Sequence, residues 1–169
     1  MRLSKSFLPS LALLFLSFTG KAQPNQTDSP KFFDPDNFLS DTLYIKTRFM
    51  ECGEFGGHLE LAQIYLLGKD FYINYQKFSA DCSTIKQNSG ETSQHLVKII
   101  NKKLQDTDKL LIRNYYHKLV DAKFREPVPT HAGYIFEISK SDKSIYLHVY
   151  TWGITTLGEY LEFINNLIE

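Results

Sequence analysis

The sequence predicts an α+β fold, an antiparallel sheet of about five strands packed against two to three helices. Two observations carry this. Stretches of strict two-residue alternation occur in hairpin-like pairs, and stretches of helical period are segregated from them rather than interleaved. A third is the punctuation: Gly-Lys-Asp at 68–70, Lys-Ser-Asp-Lys at 140–143 and the Pro127/Pro129 pair fall between the periodic runs.

In chain order, residues 1–22 read as an export signal. Arg2 and Lys5 open it, an apolar run from Leu11 to Phe18 follows, and Gly20 and Ala22 supply the small residues of a cleavage site. The apolar run is too short to span a bilayer, so the mature chain is expected to begin near Gln23. Residues 23–41, QPNQTDSPKFFDPDNFLSD, show no period and read as an irregular N-terminal arm with Phe32, Phe33 and Phe38 as anchors. A single domain then covers 42–169.

Within that domain, Leu43, Ile45, Thr47 and Phe49 alternate with Tyr44, Lys46 and Arg48 as a half-buried strand. Leu59 to Leu67 and Phe71 to Phe78, joined by Gly-Lys-Asp, form a hairpin, although Leu59, Ala62 and Leu66 also fit a helical spacing. Leu96, Ile99, Ile100 and Leu104 fall on one face of an expected helix over 92–104. Asp106 and Thr107 open the next helix, 108–124, which Pro127 and Pro129 terminate. Tyr134, Phe136 and Ile138 alternate, as do Ile145, Leu147 and Val149, giving a second hairpin. A last helix, capped by Thr155 or Thr156, carries Leu157, Leu161, Ile164 and Ile168.

The whole chain is balanced at 19 basic and 19 acidic residues; without residues 1–22, which hold Arg2, Lys5 and Lys21, the count becomes 16 against 19. A mildly acidic surface offers no electrostatic footprint for nucleic acid or anionic lipid. The 13 Phe and 10 Tyr provide apolar bulk for a core. Only Cys52 and Cys82 are present, both in the exported part, and an even count in an oxidising compartment favours one disulfide, with free thiols or a ligand role as the alternative.

Two constellations stand out. The stretch MECGEFGGH, 50–58, gathers Cys52, Glu54 and His58 around three glycines that allow the backbone to fold tightly. As a metal site these three are weakly specified, because no paired zinc-ligand motif accompanies them. As an enzyme site, Cys52 would be the nucleophile with His58 or His131 as base, but no third orienting residue is fixed by the sequence. No phosphate-cradling loop, nucleophile elbow or cofactor motif is present, and no cofactor is expected. The second constellation is Tyr146, His148, Tyr150 and Trp152, which a two-residue period sets on one side of a strand. If no helix covers that side, it forms an aromatic surface for gripping a partner.

The sequence thus points to a secreted or periplasmic, non-catalytic binding module for a protein or carbohydrate ligand, without nucleic acid or stable membrane insertion. The alternative is a small secreted hydrolase or metal-dependent enzyme built on Cys52, Glu54 and His58 with His131.

Overall fold

A computed structural model describes residues 39, 41–85, 92–125 and 131–169. The expected signal segment and nearly all of the expected arm lie outside these residues. Six strands and two helices follow one another as β1 (Leu43–Arg48), β2 (Leu59–Leu67), β3 (Asp70–Ile85), β4 (Thr92–Lys103), α1 (Asp106–Arg125), β5 (Tyr134–Lys140), β6 (Tyr146–Thr151) and α2 (Ile154–Ile168). The strands make one antiparallel sheet in the order β4-β3-β2-β1-β5-β6. The α+β class holds, with six strands where about five were expected.

The extra strand is the segment expected as a helix over 92–104. It forms β4, paired with β3 along nearly its whole length. Its apolar residues fit a helical spacing because they occupy both faces of a strand whose alternation is interrupted. Ile100 lies opposite the inward Tyr75, Ile99 opposite the outward Gln76, and the register shifts between Lys77 and Phe78. A bulge of this kind breaks the two-residue period, and an edge strand has no second neighbour to enforce one.

Both helices pack on one face of the sheet. Leu43, Ile45, Ala62, Ile64, Ile73, Phe136, Ile138 and Val149 meet Ile112, Tyr115, Leu119, Tyr160, Phe163 and Leu167 in a single core. The ring of Tyr115 stacks on Phe163 at 4.2 Å, and Tyr160 meets Phe49 edge-on and Phe136 at a tilt. Each helix is amphipathic at the 3.6-residue period: Asp108, Ile112, Tyr115, Leu119 and Ala122 are the buried stripe of α1, and Thr156, Tyr160, Phe163, Ile164 and Leu167 that of α2. Asp108 earns its buried place by accepting from the Gln105 backbone N–H at 2.7 Å at the start of α1. Leu39, from the expected arm, is also buried in this core.

Beyond the end of β2, strands β3 and β4 continue as a two-stranded arm from Phe78 and Leu96 outward. Cys82 in the arm is bridged to Cys52 in the β1–β2 connection, as the cysteine count suggested. Gln94 makes a second tie: its Nε2 donates to the Gly57 carbonyl at 2.9 Å, and its Oε1 accepts from the Leu59 N–H at 3.0 Å.

Candidate functional site

The glycine stretch is a compact connection between β1 and β2. Phe49 N–H still pairs with His58 O, and Cys52 N–H donates to Gly56 O at 2.7 Å, which folds residues 52–56 into one tight turn. Gly53 and Gly56 have φ of 65° and 81°, the left-handed region that other residues enter at a cost. Gly57 is required for a different reason. A Cβ there would overlap the Glu51 carboxylate and approach the Glu51 backbone nitrogen to 2.7 Å.

That close approach delivers Glu51 to His58. The carboxylate accepts from the His58 backbone N–H at 3.1 Å and pairs with its ring Nδ1, while Phe49 stacks on the imidazole at 3.9 Å. The other ring nitrogen, Nε2, lies 3.2 Å from Glu60 Oε1. Glu60 is the inward residue at the start of an otherwise apolar alternation and is only 1% exposed. It accepts from the Tyr160 hydroxyl at 2.6 Å and pairs with Lys77 Nζ at 2.8 Å. Burial would raise the pKa of this carboxyl, but hydrogen bonds from His58, Lys77, Tyr160 and Tyr75 outweigh it and hold the value at about 2. The same burial, with the Glu60 charge beside them, raises the hydroxyl pKa of Tyr160 and of Tyr75. A buried carboxylate supplied with this many partners is a satisfied anion that fixes the loop to the sheet.

The sequence-derived set Cys52, Glu54, His58 and His131 is therefore divided. Cys52 is bonded to Cys82, and in that form its sulfur is neither nucleophile nor thiolate ligand. His58 is engaged by Glu51 and Glu60. Glu54 does meet His131, whose Nδ1 is 3.6 Å from Glu54 Oε1, but both side chains are more than two-thirds exposed. Among the described residues, no group of three or more His, Cys, Asp or Glu is placed to hold a metal ion.

The aromatic row lies on the sheet face opposite the helices, since Val149 and Thr151 of β6 are the buried, inward residues. Tyr146 is 66% exposed and Trp152 50%. The Tyr150 hydroxyl donates to His131 O and the Trp152 indole to Ala132 O, so these two brace the chain entering β5. His148 Nδ1 is 3.8 Å from Glu137 Oε2. Tyr146 is left as the open member, and it borders a cleft of about 450 Å³ lined by Tyr44, Ser139, Lys140, Ser141, Lys143, Ile145 and Tyr146.

The rim of the cleft is rigidly built. Asp41 accepts from Ser141 Oγ at 2.7 Å and from the Asp142 N–H at 2.9 Å, and Asp142 accepts from both the N–H and the hydroxyl of Ser144. The hydrogen bonds from Ser141 and Ser144, foremost among other causes, lower the pKa of Asp41 and Asp142 respectively. Lys143 holds φ of 61° at this turn, the one positive value outside glycine among the described residues. Sequence reading named Tyr146 but not Tyr44 or Ser139, which only the strand register brings beside it.

No helix of the described residues is long and apolar enough to cross a membrane. No family model matches the chain, and neither the curated proteins nor the solved structures contain a match.

Proposed function

We propose that the chain is an exported, secreted or periplasmic, non-catalytic binding module whose ligand docks on the face of the sheet opposite α1 and α2. The observation that carries this reading is the cleft beside Tyr44 and Tyr146, a concave, partly aromatic site with a few polar groups at its rim, as ligand sites are. Rigid rings bind at low entropic cost, because a tyrosine gives up few rotamers on contact. The disulfide suits an oxidising compartment.

The test is backbone NMR of the purified protein against a panel of soluble probes: neutral oligosaccharides, acidic oligosaccharides and short aromatic peptides. Shifts clustered on Tyr44, Ser139 and Tyr146, and abolished by Tyr146→Ala, support the reading. Shifts confined to the helical face, or none from any probe, count against it.

A further inference from the structure

The strand register places one row of side chains directly across all six strands on the face opposite α1 and α2. Asn101 of β4 is the partner of Asn74 of β3, Asn74 of Gln63 in β2, Gln63 of Tyr44 in β1, Tyr44 of Ser139 in β5, and Ser139 of Tyr146 in β6. Every member is an amide, a hydroxyl or a phenol, and none is charged. The residues of the row are all partly or fully exposed. Five inter-strand steps make it about 24 Å long. It runs into the cleft at its Tyr146 end.

From this row we infer the ligand class of the proposed site: a linear, uncharged polysaccharide lying across the strands with one end in the Tyr44–Tyr146 cleft. The inference rests on the binding-module reading. Amides and hydroxyls both donate and accept, which matches a chain of sugar hydroxyls that does the same. Tyrosine rings provide apolar faces for the C–H side of a sugar ring. The amides are already ordered, since Asn74 Nδ2 donates to Asn101 Oδ1 at 2.6 Å and Gln76 Nε2 to Asn74 Oδ1 at 2.8 Å, so little freedom remains to be lost on binding. The row offers an anionic glycan no countercharge, and of the two lysines that line the cleft, Lys140 is buried and 3.8 Å from Asp142. A protein partner wants an apolar centre with a polar rim, whereas here a polar row crosses the sheet, and the large exposed apolar side chains of the strands outside that row sit at the margins, Leu66 and Leu67 at the end of β2 and Leu96, Val97 and Ile99 on edge strand β4.

The experiment is affinity electrophoresis through gels containing hydroxyethyl cellulose, xylan, mixed-linkage β-glucan or polygalacturonate, followed by calorimetric titration with the short oligomers of whichever retards the protein. One of the neutral polymers is expected to retard it and polygalacturonate is not. Gln63→Ala and Asn74→Ala, substitutions of half-buried residues on the face away from the core, are each expected to weaken binding about fivefold to tenfold. A six-sugar oligomer is expected to bind at least about tenfold tighter than its disaccharide, because the row is extended. Retardation by polygalacturonate alone, equal affinity for short and long oligomers, or unchanged binding in both variants would overturn the inference. If no glycan retards the protein while an aromatic peptide shifts Tyr44 and Tyr146 by NMR, the ligand class falls and the binding-module reading stands.

Discussion

Glu60 and Tyr160 stand 100 residues apart in the chain and are joined by a 2.6 Å hydrogen bond in the core. The bond ties α2 to the sheet at the strand that leaves the glycine turn, and His58, Lys77 and Tyr75 meet the same carboxylate.

Removing the charge at that centre strands its partners. Glu60→Gln keeps the shape but removes the negative charge that Lys77 and His58 share and replaces one acceptor oxygen with a donor, and is expected to cost about 3 kcal/mol in urea unfolding. Tyr160→Phe loses one hydrogen bond and is expected to cost about 1–2 kcal/mol. Because the folded-state pKa of Glu60, about 2, lies below the ordinary 4.5, its stabilisation is present above pH 4.5 and is lost as pH falls from there towards 2. Stability measured across that window should decline in the wild type and lose this component of the slope in Glu60→Gln.

The bridge between Cys52 and Cys82 closes a loop with a sequence separation of 30. On the chain-entropy view that is worth roughly 3–4 kcal/mol. Cys82→Ser and Cys52→Ser should each lower the melting temperature by about 10 °C, and the double replacement should cost no more than either alone. Additive losses in calorimetry would contradict a shared bond.

Two glycines should respond in opposite directions to alanine. Gly57→Ala puts a methyl group into the Glu51 carboxylate and is expected to destabilise by about 1–3 kcal/mol. Gly158, exposed within α2, has open space where a methyl group would stand, and Gly158→Ala is expected to stabilise by about 0.5–1 kcal/mol. Chemical denaturation of the two variants side by side checks both signs.

Gln94 secures the β3–β4 arm to the glycine turn through both ends of its amide. Gln94→Leu leaves the Gly57 carbonyl and the Leu59 N–H without that partner, at an expected cost of about 1–3 kcal/mol. Amide hydrogen exchange at Leu59 should accelerate in the variant.

Where a single local period decided the structure, the sequence was legible. Ile73 and Tyr75 against Tyr72 and Asn74, or Phe136 and Ile138 against Ile135 and Glu137, announce which side chains face the helices. β4 was misread because its bulge at Lys77/Phe78 and its open edge let Leu96, Ile99, Ile100 and Leu104 mimic a helical stripe. The Glu60 cluster was hidden for another reason: its members come from the β1–β2 turn, β2, β3 and α2, and only their juxtaposition defines it. One signal was present, an acid in the inward position of Glu60-Leu-Ala-Gln-Ile64, where burial demands partners. The row from Asn101 to Tyr146 was likewise a matter of register, and register is set between strands rather than within them.

The strand order also separates pairings that are local in the chain from one that is distant. β1 to β4 form a meander of neighbouring hairpins, which close quickly because each contact is local. The pairing of β1 with β5 is of a different kind, since Thr47 and Phe136 are partners across a seam that the chain reaches only after the long hairpin and all of α1. Until β5 and β6 arrive, β1 presents a bare, half-apolar margin to its surroundings. A chain truncated after α1 would carry that margin permanently, and would be expected to gather into oligomers through β1 while keeping its first three hairpins.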